Sequence, residues 1–202
     1  MGIDRVPWIP FEAKTFLDGI VGKDKAVFEW GCGGSTLYFA DTCASVVSVE
    51  DSAEWISKVA IELGGDILAT DCIVTVSNDA LDATLYHVER GEGILGSDTS
   101  NPAHYVERNI LGANFKEFAR AIDGYPDEYF DIVMVDSFAR PSCITHALPK
   151  LKSGGWLVLD NSDREYYLSQ IGYVINSWDK RKFCGPGPYN TYEWCCSFWR
   201  KP

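Results

Sequence analysis

Five short, nearly unbroken apolar runs recur along this chain at intervals long enough for a helix: "AVFEW" (26–30), "SVVSVE" (45–50), "IVTVS" (73–77), "FDIVMVD" (130–136) and "WLVLD" (156–160). A strand with one wet face alternates apolar and polar residues, whereas a strand covered on both faces reads as a continuous apolar run. Helical candidates at 35–40, 54–63, 115–122, 144–151 and 164–177 lie between or after the runs. Strand and helix in alternation predict a mostly parallel sheet inside a three-layer α/β domain. With 202 residues and 46% hydrophobic content there is material for one full core, so 1–202 is read as one domain.

Two segments depart from this rhythm. The Pro/Gly-rich turn in "KRKFCGPGPYN" separates two strand-like stretches, the second being "TYEWCCSFW". The connection is too short for a crossover helix, so the last two strands are expected to pair antiparallel. The segment 80–112 contains "ERGEGILGSDTSNPAHYVERN", rich in Gly, Ser, Asp and Asn. A connection of that length and composition is expected to form a lid or binding loop.

Charge and cysteine usage narrow the function. A net charge of −11 with dispersed Lys and Arg would repel a polyphosphate backbone, which argues against nucleic acid as partner. No apolar run is long enough to span a bilayer, and "MGIDRVPWIP" does not read as an export signal, so a cytoplasmic protein without membrane association is expected. Seven cysteines, an odd number without C-x-x-C spacing, read as free thiols in a reducing compartment. His87, His104 and His146 stand too far apart in sequence to suggest a metal pair.

The first apolar run enters a glycine cluster, "VFEWGCGGSTLYFA" (27–40). Glycines at a strand end mark a sharp turn or a close approach of backbone to something else. In open parallel sheets ligands sit beyond the carboxyl ends of the strands, where the amides of the next helix also point. Gly31 and Gly33 supply the first two glycines of a dinucleotide fingerprint, with Thr36 where a third small residue would stand. Glu50 ends the second run, placed to accept hydrogen bonds from ribose hydroxyls. Asn78 and Asp79 end the third, where an acceptor could meet an adenine amino group. Glu29 would disfavour a pyrophosphate but suits a cationic ligand. Together these favour an adenosine carrying positive charge over one carrying phosphates.

With those residues in place, nearly the whole chain resembles the class I S-adenosylmethionine-dependent methyltransferases. "VFEWGCGGSTLYFA" is similar to their glycine motif, "VVSVED" to their ribose-binding strand end, "FDIVMVD" to their fourth strand and "LKSGGWLVLDN" to their fifth. The resemblance implies a Rossmann-like, seven-stranded sheet with a terminal antiparallel hairpin and S-adenosyl-L-methionine as cofactor. Glu29, Gly31, Gly33, Ser35, Glu50, Asp79 and Asp136 are then its expected contacts. A nicotinamide-dependent oxidoreductase is the rival among enzymes, and a methyltransferase-like domain that binds cofactor or partner without transfer is the rival among binding modules.

The acceptor is expected to be a small hydroxylated molecule or sugar, methylated on oxygen. Asp136, Arg140 and Asp160 are the catalytic candidates, because adjacent parallel strands would bring Asp136, Asp160 and Asn161 to one mouth. That trio resembles the metal set of catechol and caffeoyl-CoA O-methyltransferases, implying Mg²⁺ or Mn²⁺ on Asp136, Asp160 and Asn161. Acids that merely cap loops are the alternative. A second resemblance, to small bacterial-type methyltransferases, rests on Asp136, Ala139, Arg140, Pro141 and Cys143 followed by 160–164, and carries no substrate. The aromatic tail, Tyr189, Tyr192, Trp194, Phe198 and Trp199, is expected as sheet packing, with a substrate platform or homodimer face as the alternative.

Overall fold

The computed structural model describes residues 2–78 and 81–202. Its elements in order are α1 (Phe11–Asp18), β1 (Ala26–Trp30), α2 (Gly34–Thr42), β2 (Ser45–Glu50), α3 (Ala53–Leu63), β3 (Asp66–Ala69), β4 (Ile73–Asn78), β5 (Leu81–His87), β6 (Gly91–Glu92), β7 (Ala113–Asn114), α4 (Lys116–Arg120), β8 (Phe130–Val135), α5 (Arg140–Lys150), β9 (Leu151–Leu159), α6 (Gly172–Ile175), β10 (Asp179–Gly185) and β11 (Trp194–Arg200). One sheet has the order β10-β11-β9-β8-β1-β2-β5-β4-β3, and β6 pairs with β7 separately.

The centre of the sheet, β9-β8-β1-β2-β5, is parallel, as its apolar runs require. Successive side chains of β1 leave on opposite faces. Val27 packs under α1 and α2 with Leu17, Leu37 and Ile132, whereas Phe28 and Trp30 pack under α4 and α5 with Phe118, Val133 and Ile144. These two apolar layers are the core, and their burial is the main force holding the three-layer stack together. The polar exception in β1, Glu29, enters the α2 side and is almost wholly buried.

Both flanks are antiparallel. The expected hairpin is β10–β11, with β11 joined antiparallel to β9. The other flank corrects the sequence reading: 73–77 is not the third parallel strand. It is β4, antiparallel to both β3 and β5, and the third parallel position belongs to β5. The turn between β3 and β4 is far too short for a crossover, which forces antiparallel pairing. The sheet therefore has nine strands rather than seven. The expected lid loses its beginning, since Leu81–His87 is β5. Helix is also shorter than expected over 164–177, where only a 3-10 turn (Glu165–Tyr167) and α6 form.

The thiol reading needs a second correction. Cys184 and Cys195 lie directly opposite in the β10–β11 register and form a disulfide, leaving Cys32, Cys43, Cys72, Cys143 and Cys196 free. Antiparallel pairing brings opposite residues within reach, a proximity that spacing along the chain does not disclose. In the tail, Trp194, Phe198 and Trp199 are buried as expected, while Tyr189 and Tyr192 are exposed. Among the described residues no helix is long and apolar enough to cross a membrane.

Candidate functional site

The carboxyl ends of β1, β2 and β8 converge on a cavity of about 320 Å³ lined by Trp8, Gly31–Ser35, Glu50, Trp55 and Asp136–Phe138. Gly31 takes a left-handed φ of 97°, and a Cβ there would stand 2.6 Å from the Asp136 carbonyl oxygen. Only glycine lets the turn after β1 pass so close to the end of β8. Gly34 is equally constrained, since its added Cβ would lie 2.3 Å from the carbonyl oxygen of Val6. The N-terminal segment is thereby laid across the start of α2 and carries Trp8 to the rim.

Beneath the turn lies a buried polar chain. Thr36 Oγ1 accepts from the Gly33 amide at 2.9 Å and donates to Glu29 Oε1 at 2.5 Å, and Ser48 Oγ donates to the same oxygen at 2.6 Å. Glu29 Oε2 makes no hydrogen bond of normal geometry among the described residues, although the Ser35 hydroxyl lies near enough to favour the charged carboxylate. Burial raises the Glu29 carboxyl from its usual 4.5 to about 7, opposed by the hydroxyl donors around it. Thr36, the departure from the dinucleotide fingerprint, is thus the residue that ties the glycine turn to the acid below it.

Glu50 stands at the end of β2 as expected. Its Oε2 accepts from the Cys32 amide at 3.3 Å, and its Oε1 from the amides of Asp51 and Ser52 at 3.0 and 3.2 Å. Burial and the adjacent Asp51 carboxylate raise it to about 7. Trp55 Nε1 donates to the Cys32 carbonyl at 2.6 Å, bracing the turn from α3. Trp8, Ser48 and Trp55 carry no signal in the sequence, because none belongs to a spaced motif, and Thr36 stands out there only as the departure from the fingerprint. Asn78 lies at the opposite end of the sheet from Glu50, as the register Asn78 to Leu81 and Glu50 to His87 requires. Asp79, the expected adenine contact, lies outside the described residues. The strand end beside Glu50 is instead that of β5, where the Val88 amide donates to the Glu50 carbonyl at 2.9 Å.

A second cavity, of about 310 Å³, shares Asp136, Ser137 and Phe138 with the first. Glu107, Asn109, Ile110, Arg140, Asn161 and Arg164 complete it. The tight turn from β8 to α5 passes through Ala139 in the left-handed region, φ 45°, which sets Arg140 at the first helical position. Glu107 Oε2 accepts from the Ala139 amide at 3.2 Å, so the 88–112 segment is fastened to this turn. Asp136, Arg140, Asp160 and Asn161 do meet here. Arg140 Nη2 donates to Asp136 Oδ1 at 2.9 Å and to Asn161 Oδ1 at 3.1 Å, and its Nη1 donates to Tyr167 at 2.5 Å. Asp160 accepts from Trp194 Nε1 at 2.9 Å, and its carboxyl stays beside that of Asp136. Burial, then the Asp136 charge, pushes Asp160 well above the usual carboxylate range. Burial raises Asp136 as well, but the Arg140 guanidinium opposes that rise.

This geometry does not fit the expected divalent ion. Oxygens of two of the three expected ligands are already bridged by a guanidinium, and the third, the Asp160 carboxyl, is buried against an indole with its proton favoured. A hard cation needs several free anionic oxygens directed at one point. No group of three or more His, Cys, Asp and Glu among the described residues is arranged to hold a metal.

No family model and no curated protein matches the sequence. Solved structures match over most of their length. A protein of Streptococcus mutans described as a methyltransferase, in complex with SAH, superposes with a TM-score of 0.58 at 11% identity, over 94% of this chain and 97% of that one. A methyltransferase-like protein of Silicibacter pomeroyi DSS-3 gives 0.56 at 17% identity, over 98% and 92%. A protein of Klebsiella pneumoniae described as an O-methyltransferase gives 0.55 at 14% identity, over 88% and 74%.

Proposed function

We propose, from the class I S-adenosylmethionine-dependent methyltransferase fold that this chain has, that it binds that cofactor in the first cavity and transfers its methyl group to an oxygen of a hydroxylated small molecule. The observation that carries the reading is the joint placement of the glycine turn and Glu50 around one cavity, with Glu29 buried beneath the turn. Glu50 suits ribose hydroxyls, and Glu29, buried under the turn, suits a cationic ligand and opposes a pyrophosphate, which argues against a nicotinamide dinucleotide. When bound, the cofactor supplies an electrophilic methyl group on a sulfonium. The protein's part is to align the acceptor and remove its proton. Asp136 borders both cavities and is the group placed to accept that proton, with Arg140 fixing its carboxylate.

Calorimetry with S-adenosylhomocysteine tests the reading. Wild type is expected to bind, and Glu50→Ala to bind more weakly by about 1–3 kcal/mol through lost charge-assisted hydrogen bonds. Equal affinity for both proteins, or preferential binding of NAD, overturns it.

A further inference from the structure

We infer that the second cavity receives an oxyanion of the methyl acceptor, a carboxylate or a phosphate ester, with Arg164 as its cationic contact. The inference rests on the methyltransferase reading and names the acceptor's chemical class.

The cavity lining carries two guanidinium groups, Arg140 and Arg164, and two carboxylates, Asp136 and Glu107, so its charges balance in number but not in pairing. Arg140 is matched by Asp136. Arg164 lies close enough to Arg140 to feel its charge, is half-buried, and forms no ion pair among the described residues. Its Nη1 donates to the Tyr167 hydroxyl at 2.9 Å, the same phenol that receives Arg140 Nη1, so two guanidinium groups share one neutral acceptor. Of the remaining acids, Glu107 lines the same cavity, and neither it nor Asp160 forms an ion pair with Arg164 among the described residues. Glu107 accepts from two backbone amides, of Arg108 and Ala139, and Asp160 from the Trp194 indole. The Nε of Arg140, a side chain only 6% exposed, has no partner at all among the described residues. Arg108, exposed and likewise without an ion pair, stacks over the neighbouring Tyr166 ring at 4.2 Å.

In a chain of net charge −11, most arginines here find carboxylates: Arg5 with Asp41, Arg90 with Asp51, Arg120 with Asp123, Arg181 with Asp179. A half-buried guanidinium without one, beside a second guanidinium, is an arrangement that an incoming anion completes. Asn109 and Asn161 add amide groups to the same lining. A neutral polyol would leave Arg164 without a charged partner. An oxyanion at Arg164 would hold the acceptor with its hydroxyl directed along the wall toward Asp136, which both cavities share.

The test titrates inorganic phosphate, and separately gluconate, into the protein with and without saturating S-adenosylhomocysteine. At least one anion is expected to bind saturably to wild type. Preference for phosphate identifies a phosphate ester, and preference for gluconate a carboxylate. Arg164→Gln is expected to weaken that binding about tenfold, the loss of one charge-assisted contact, with S-adenosylhomocysteine affinity unchanged. Arg200→Gln, which removes an arginine that hydrogen-bonds the Gly154 carbonyl and forms no ion pair among the described residues, is expected to change nothing. Absence of saturable binding to wild type, or equal binding by Arg164→Gln, overturns the inference. Failure of S-adenosylhomocysteine to bind would instead strike the cofactor reading, because the anion titration is also run without it.

Discussion

Glu29 concentrates the energetics of the site in one side chain. One oxygen takes two hydroxyl hydrogens, the Ser35 hydroxyl stands beside the carboxylate, and the group is almost wholly buried. Its carboxyl is raised to about 7 in the fold, so the ionised form destabilises the unliganded protein as pH rises from its usual 4.5. The shift corresponds to up to about 3 kcal/mol by proton linkage. A cationic ligand prefers the ionised form, so the sign for binding is the reverse of the sign for stability. The melting-temperature increase caused by S-adenosylmethionine is expected to grow between about pH 6 and about pH 8, and Glu29→Gln to flatten that dependence. A ligand-induced shift that is the same at both pH values for wild type would remove Glu29 from the binding account. Thr36→Val, nearly isosteric, is expected to lower stability by about 1–3 kcal/mol in denaturant melts, since it strips a donor from Glu29 and an acceptor from the Gly33 amide. A smaller loss at low pH, where Glu29 is protonated, distinguishes this cause from poor packing.

At the scale of elements, the insertion after β5 is fastened through its middle and exposed beside the β6–β7 pair that joins its two ends. Ser142 Oγ donates to the Pro102 carbonyl at 2.7 Å, Gln170 Nε2 donates to Asp98 at 2.7 Å, and Glu107 holds the Ala139 amide. By contrast, Ile94, Leu95 and Leu111, around the small β6–β7 pair, are 72–81% exposed. Few buried contacts and short strands mark a region that opens at low free-energy cost. Hydrogen exchange is expected to be fast across 91–96 in every state, and to slow across 105–110 once cofactor and oxyanion are both bound, since Glu107, Asn109 and Ile110 line the second cavity. Unchanged exchange across 105–110 would make that stretch plain scaffold rather than a cover. The meander β3-β4-β5 has a different role: it extends the sheet beyond the parallel centre with β3 wholly exposed, and its last strand brings His87 rather than Asn78 to the mouth.

For the whole molecule, the arrangement around Arg140 predicts chemistry without a divalent ion. Calorimetric titration of Mg²⁺ or Mn²⁺ is expected to give no saturable binding, and EDTA to leave S-adenosylhomocysteine affinity unchanged. A stoichiometric metal isotherm that Asp160→Ala abolishes would restore the metal set. The parallel α/β centre, the glycine turn and the glutamate at the end of β2 were legible in the chain, because each depends on local pattern: apolar runs buried on two faces, glycines where backbone passes backbone, an acid at a strand end. The antiparallel meander was not legible: β3 spans only four residues, and "LDATLYH" (81–87) was hidden by the loop-like composition that follows it. The partners of Asp136, Asp160 and Asn161 were beyond the sequence, which brought the three acceptor side chains to one mouth and left open what would occupy it. Tertiary packing decided that, by placing Arg140 between Asp136 and Asn161 and Trp194 against Asp160. Which charge neutralises which depends on distances across separate strands and on burial, and neither follows from spacing along the chain.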